Sequence, residues 1–296
     1  VSALLGIGSG LIVPLSTGLI SRYFTGKYRT RQFGLSSAIT NITLVSATLL
    51  TGYLAGIDWH LPFVVYFFPI VAFVFSFYLK KDPVSAAPVR TNNPGKINVK
   101  HLIGLMAFYG LVTYLVVIIS FNLPFLMKEY RFDTETSGII ISMFYSAIVV
   151  PGFFLNKILS TFKYLTKCMC LLCIAAGLLL VLISSNVWIL GTGAVFMGFG
   201  YGVIQPLIYD QTSQVATPEK TTLALAFVMS MNYLAILLCP TIIDTFQSLF
   251  HIHSQQFAFS FNLSITLLAI VWSYAARHTF LFNDNLENDK SSLEEL

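Results

Sequence analysis

Nine stretches of this chain are each long and apolar enough to cross a bilayer as a helix, and few architectures accommodate that pattern. They run roughly over 1–20, 33–56, 61–79, 101–127, 136–156, 167–185, 187–209, 221–246 and 256–276. A helical span takes about 20 mostly apolar residues. In hydrocarbon every backbone N–H and C=O must be paired within the protein, which leaves helices and closed barrels. The runs are far too long for barrel strands. Only 10% of the 296 residues are charged, where soluble domains carry about 25%. The expected fold class is therefore an all-α polytopic membrane protein held in the lipid bilayer. The formal net charge of +4 is too small to point to nucleic acid, and its meaning lies in where the charges sit.

The connecting segments alternate in charge. Arg22, Lys27, Arg29 and Arg31 fall in 21–32, and Lys80, Lys81, Arg90, Lys96 and Lys100 in 80–100. Lys157, Lys163 and Lys167 fall in 157–167, Lys220 in 210–220, and Arg277 and Lys290 in the tail. The intervening loops hold only Lys128 and Arg131. Cytoplasmic loops are the ones enriched in Lys and Arg. The basic loops and the C-terminus are thus expected inside, and the first run descends from the outside.

Segment 80–100 is also the one composition break. Pro83, Pro88, Asn92, Asn93, Pro94 and Gly95 read as a cytoplasmic linker. The organisation expected is three spans over 1–79, a linker over 80–100, six spans over 101–280 and a polar cytoplasmic tail over 281–296.

One motif occurs twice, 192 residues apart. Gly6-Ile7-Gly8-Ser9-Gly10-Leu11-Ile12-Val13-Pro14-Leu15 is matched by Gly198-Phe199-Gly200-Tyr201-Gly202-Val203-Ile204-Gln205-Pro206-Leu207. In each copy two glycines and the proline (Gly6, Gly10, Pro14; Gly198, Gly202, Pro206) share one helical face. Small residues let helix backbones approach closely in lipid, so each face reads as a static packing surface or as one that slides when the halves rock. The copy opens the first half but is the fourth span of the second. If the halves are equivalent, about three helices precede residue 1, and the chain is a fragment of a twelve-helix protein built from parallel six-helix repeats.

These features resemble the major facilitator superfamily, in its exporter-like bacterial branch, with the nine runs as helices four to twelve of a two-bundle fold. The resemblance rests on the Gly-x-Gly-x-Gly and Pro14 pattern, the basic loop ending Arg31-x-x-Gly34, Asp58-Trp59-x-x-Pro62-Phe63, and the charged linker. Gly152-x-x-x-Asn156-Lys157 resembles the family's loop motif Gly-x-x-x-Asp-Arg/Lys, with Asn156 in place of the acid. Where the family's antiporter motif ends in Gly-Pro-x-x-Gly-Gly, this chain has Ala47-Thr48-Leu49-Leu50-Thr51-Gly52. The resemblance implies a monomeric secondary transporter in a bacterial inner membrane, a small-molecule substrate, a proton as coupling ion, and Arg31, Gly152, Asn156 and Lys157 as a cytoplasmic gate.

No ionisable residue falls near the middle of a run, so no proton relay is visible, and Asp210 reads as a solvated helix end. The spans instead carry uncharged polar and aromatic groups. Such groups need partners in hydrocarbon, supplied either by other helices or by a wet cavity that they line. The candidates for a substrate cavity are Asn41, Tyr109, Tyr114, Tyr145, Tyr201, Gln205, Met229 and Asn232. Gln205 stands out because it replaces Val13 of the first copy. Thr48, Gly52 and Gly56 repeat the four-residue spacing as a further packing face. Cys168, Cys170 and Cys173 lie in an apolar run without a histidine and read as buried structural thiols; His251-x-His253 reads as a solvated turn. No catalytic cluster and no phosphate-binding loop appears, so neither an enzyme, a cofactor nor a metal is expected. The function expected is export of amphiphilic compounds driven by an ion gradient. Uptake of a small neutral solute, or a non-transporting role on the same fold, stands as the alternative.

Overall fold

The computed structural model describes residues 2–58, 60–78, 97–132, 136–184, 186–252 and 254–275. Trp59, His253, most of the linker and the tail lie outside the described residues. The described secondary structure is helical, apart from one antiparallel bridge between Ile97 and Ala216. The helices are α1 (Ser2–Tyr23), α2 (Gly26–Ile57), α3 (Phe68–Ser76), α4 (Val99–Glu129), α5 (Ser137–Phe162), α6 (Thr166–Leu182), α7 (Val187–Val215), α8 (Thr221–Phe250) and α9 (Gln256–Ala275).

Two expectations need correction. Helix α2 begins at Gly26 rather than 33, because its polar first turns, Lys27 to Arg31, are helix formers that an apolar run does not detect. The run at 61–79 is not one helix. A 3-10 turn, Leu61–Phe67, precedes the nine-residue α3, with a proline in the first two positions of each. Proline removes a backbone donor and clashes with the preceding turn, so it divides the segment. By length and hydropathy, six helical stretches among the described residues can cross a membrane, and the longest, Ser137–Leu182, is α5 and α6 end to end.

Helix α7 is the axle of the larger group. It packs along α5 on one side and α6 on the other, with α4 and α8 completing its surroundings and α9 against α6. The reason is legible in the second glycine motif. A Cβ on Gly202 would lie 2.6 Å from the Ile148 carbonyl oxygen, and one on Gly198 would collide with that of Phe144, both on α5. Gly200 points the other way, its Cβ position 2.6 Å from the Cys170 carbonyl oxygen on α6. Pro206 is buried in the same helix.

The smaller group, α1 to α3, meets the larger through α1 against α8 and through α2 against α5 and α7. Here the first motif copy departs from expectation. Gly6 and Gly10 are exposed, and no described residue lies within 4 Å of a Cβ on either. Helix α1 leans on α8 lower down, where Gly18 abuts Thr222 and Pro14 and Thr17 are buried. Thr48 is likewise exposed and bonds the Leu44 carbonyl of its own helix, 2.8 Å away.

Among the described residues, the basic segments that follow α1, α5 and α7 lie at one end of the molecule. There the Ile97–Ala216 bridge ties the start of α4 to the end of α7, and Asn156 Nδ2 donates to the Lys27 carbonyl at 3.3 Å. At the opposite end Glu129 accepts from Ser254 Oγ and from the Gln255 backbone, each at 2.6 Å. Also at that end, Asp58 accepts from the His60 backbone at 2.8 Å and lies 2.9 Å from its ring. These contacts hold its carboxyl below the usual range and shape the turn out of α2.

Candidate transport site at the seam between the helix groups

A connected set of polar side chains crosses from α2 into the interior of the larger group. Ser37 Oγ on α2 donates to Gln205 Oε1 on α7 at 2.9 Å, and Gln205 Nε2 faces the Tyr209 hydroxyl at 3.4 Å. The hydroxyls of Tyr209 and Tyr109 are 3.0 Å apart, and that of Tyr201 is 3.4 Å from Tyr109. Thr113 Oγ1 donates to Asn232 Oδ1 at 2.6 Å, and the Tyr201 hydroxyl lies 3.2 Å from the same oxygen. Four helices therefore contribute: α2, α4, α7 and α8.

Aromatic faces frame this set. The rings of Tyr109 and Tyr201 stack at 6.4 Å with 14° between planes, and Tyr209 meets Tyr109 edge-on at 5.8 Å. Phe33 on α2 meets Tyr209 edge-on at 6.3 Å. Such geometries suit the ring quadrupole. No carboxylate or ammonium joins the set, and a buried hydroxyl or amide is stable there only because each finds a partner. Asn232 is half-buried, and its Nδ2 makes no hydrogen bond to a described residue.

Of the residues singled out for a cavity, Tyr109, Tyr201, Gln205 and Asn232 come together here. Tyr145 sits beside them, its hydroxyl 3.2 Å from Ser120 Oγ. The others do not join. Asn41 is buried and donates to the Ser37 carbonyl one turn back at 2.8 Å. Met229 is buried against the core without a polar role. The Tyr114 hydroxyl is buried without a partner among the described residues, and the Cys239 thiol donates to the Tyr114 backbone carbonyl at 3.8 Å. Thr113, Tyr209 and Ser37 complete the constellation. They were visible as polar span residues, but no spacing rule links α2 to α7.

A second cross-seam contact lies toward the basic end. Asp210 is not solvated: it is 5% exposed. Its Oδ1 is 2.8 Å from Arg29 Nε, and its Oδ2 accepts from Thr30 Oγ1 at 2.9 Å and Gln214 Nε2 at 3.2 Å. The correction follows from α2 starting early, which brings Arg29 and Thr30 onto α7. Of the gate candidates, Gly152 meets Gly34 across the α2–α5 seam, a Cβ on Gly152 falling 2.5 Å from the Gly34 carbonyl oxygen. Asn156 bonds Lys27 as described, whereas Arg31 and Lys157 are exposed. Cys168 and Cys170 are buried, Cys173 half-buried. Among the described residues no cluster of three metal-ligating side chains occurs.

Comparison with known proteins agrees with this architecture. The family model described as Major Facilitator Superfamily matches residues 1–240. The chain is 25% identical over 234 residues to the quinolone resistance protein NorA of Staphylococcus aureus (strain MRSA252), which covers 71% of the chain and 57% of that protein. It thus spans little more than half the length of this curated relative. Among solved structures, the human organic anion transporter MFSD10 (TETRAN) superposes with a TM-score of 0.69 at 16% identity, covering 88% of this chain and 67% of that one.

Proposed function

Because the chain belongs to the Major Facilitator Superfamily, we propose that this integral membrane protein works as a secondary transporter by alternating access and exports amphiphilic small molecules. The observation that carries the reading is the asymmetry of the seam. At the basic end, taken as cytoplasmic, Arg29 and Thr30 close on Asp210, and Ser37 closes on Gln205. At the other end a largely apolar cleft of about 470 Å³ lies between α2 and α5, lined by Val45, Leu49, Ser142 and Ser146. This asymmetry supports a reading as a state closed inside and open outside. Alternating access requires such a state, with the substrate site near the repeat interface.

The site proposed for substrate is the tyrosine set with Asn232 and Gln205. Stacked aromatic faces and uncharged donors suit a flat, amphiphilic molecule. The name of the NorA relative points the same way, toward resistance to a drug-like compound. The protein acts as a monomer in a bacterial inner membrane with the C-terminus cytoplasmic, and a proton gradient supplies the work. None of the described spans shows a mid-membrane carboxylate for coupling.

The test is flux in proteoliposomes of the full-length protein with an imposed proton gradient. Gradient-driven movement of amphiphilic fluorophores in the export direction is expected. Gradient-driven uptake of small neutral solutes would instead favour a symporter, and no flux under either gradient sign would sink both readings.

A further inference from the structure

Arg31 and Lys157 take no part in the contacts described above. Arg31 is on α2 and Lys157 on α5, so they sit on opposite sides of the seam. Each lies five residues from the basic end of its helix, about 7–8 Å along the axis at 1.5 Å per residue. The two helix ends are in register, since Asn156 Nδ2 reaches the Lys27 carbonyl and Gly152 packs on Gly34. Both cations are exposed, and neither side chain makes a hydrogen bond or ion pair with a described residue.

Acidic residues are sparse around them among the described residues, where Glu219 in the turn after α7 and Asp210 reach this end. Helices α1, α2, α5 and α6 contain no Asp or Glu within their bounds. The acid that reaches this end from α7, Asp210, is already engaged by Arg29. Phe153 and Phe154 stand four and three residues before Lys157 on α5 and are 56% and 57% exposed. Residues at these spacings share a helix face. The face therefore presents aromatic rings toward the bilayer interior and an ammonium at headgroup depth.

We infer that Arg31 and Lys157 form a binding site for one anionic phospholipid, whose phosphate bridges α2 and α5 while its acyl chains lie against Phe153 and Phe154. A free inorganic anion would satisfy the two cations but leave the aromatic face unused. Juxtamembrane Lys and Arg are each worth about 1 kcal/mol toward anionic lipid surfaces, which is about fivefold in affinity. Because the two cations belong to different helix groups, a lipid held by both ties the groups together beside the contact of Gly34 with Gly152.

The test is native mass spectrometry of the full-length protein, titrated separately with phosphatidylglycerol and phosphatidylcholine. Phosphatidylglycerol should bind more tightly. Arg31→Gln and Lys157→Gln should each weaken it about fivefold, and the double variant about 25-fold, while leaving phosphatidylcholine unchanged. Arg31→Lys and Lys157→Arg should stay within about twofold of wild type, and Lys163→Gln, outside the seam, should change nothing. Both side chains are exposed and unpaired, so these variants fold. Equal binding of the two lipids, or an undiminished preference in the double variant, overturns the site. Inorganic phosphate that displaces phosphatidylglycerol at comparable concentration also overturns it, in favour of a simple anion site.

Discussion

Arg29 Nε and Asp210 Oδ1 lie 2.8 Å apart across the seam between α2 and α7, with side chains 15% and 6% exposed. In the low-dielectric setting of a helix interface, removing one partner leaves an uncompensated charge and costs about 3–5 kcal/mol. Asp210→Asn should therefore shift the balance between inside-closed and inside-open forms by about two to three and a half orders of magnitude, each 1.4 kcal/mol being tenfold. Spin labels on the exposed Tyr28 and Glu219 should show a longer inter-group distance gaining weight. The reversed pair, Arg29→Asp with Asp210→Arg, should recover part of the short-distance population. Unchanged distances in Asp210→Asn would remove this contact from the gating account.

Glycine matters where a neighbouring backbone lies against it, as Gly152 and Gly10 should reveal on substitution. At Gly152 a Cβ would sit 2.5 Å from the Gly34 carbonyl oxygen and 2.9 Å from the Ala38 Cβ. Backbone cannot yield cheaply, so Gly152→Val should force α2 and α5 apart. Overpacking of this kind costs about 1–3 kcal/mol. At Gly10 a Cβ meets no described residue within 4 Å, and Gly10→Ala should not destabilise, alanine being the better helix former by about 0.5–1 kcal/mol. Thermal unfolding of the two variants in one detergent compares them directly; a Gly152→Val protein as stable as wild type would contradict the close-packed seam.

The contrast shows what a sequence can and cannot convey here. The apolar runs placed helices because burial in lipid demands backbone pairing, and the charge alternation of their loops agrees with a common basic end. The repeat of Gly198 and Gly202 marked the face on which α7 lies against α5. What the repeat could not convey is the neighbour: Gly6 and Gly10 have the same spacing but no described residue against them. Asp210 was misread as solvated for a related reason. Whether a helix-end carboxylate is wet depends on what faces it, and Arg29 is 181 positions away in the chain. The tyrosine set was legible as a list of polar groups. Its membership was not, because Asn41 satisfies itself on its own helix whereas Thr113 and Tyr209 reach across.

Gln205 is the polar difference between the motif copies, and it accepts from Ser37 on the other helix group at 2.9 Å. Gln205→Val restores the residue of the first copy and removes that bond together with the 3.4 Å contact to Tyr209. A net intramolecular hydrogen bond is worth about 1 kcal/mol. The inside-closed form should lose about fivefold in relative population, a milder effect than that of Asp210→Asn, with little change in thermal stability. The distance between spin labels at Tyr28 and Glu219, compared among the three proteins, should rank them in that order. Gln205→Val behaving like Asp210→Asn would mean that the amide carries more than one hydrogen bond's worth of the closure.

Asn232 separates a structural from a recognition role within the tyrosine set. Its Oδ1 accepts from Thr113 at 2.6 Å and lies 3.2 Å from the Tyr201 hydroxyl, while its Nδ2 bonds no described residue. Asn232→Ala takes an acceptor from both hydroxyls, at about 1 kcal/mol for each hydrogen bond lost, so it should lower stability and flux together. Asn232→Asp keeps an acceptor oxygen for both hydroxyls, whose hydrogen bonds favour a carboxylate, but it lacks the amide donor. If Nδ2 donates to the transported molecule, Asn232→Asp should retain the thermal stability that Asn232→Ala loses. For an uncharged fluorophore it should still raise KM about fivefold to tenfold, the worth of one hydrogen bond. Flux and unfolding measured on the same preparations decide the matter: wild-type KM in Asn232→Asp would make Asn232 a strut for Thr113 and Tyr201 rather than a contact for substrate.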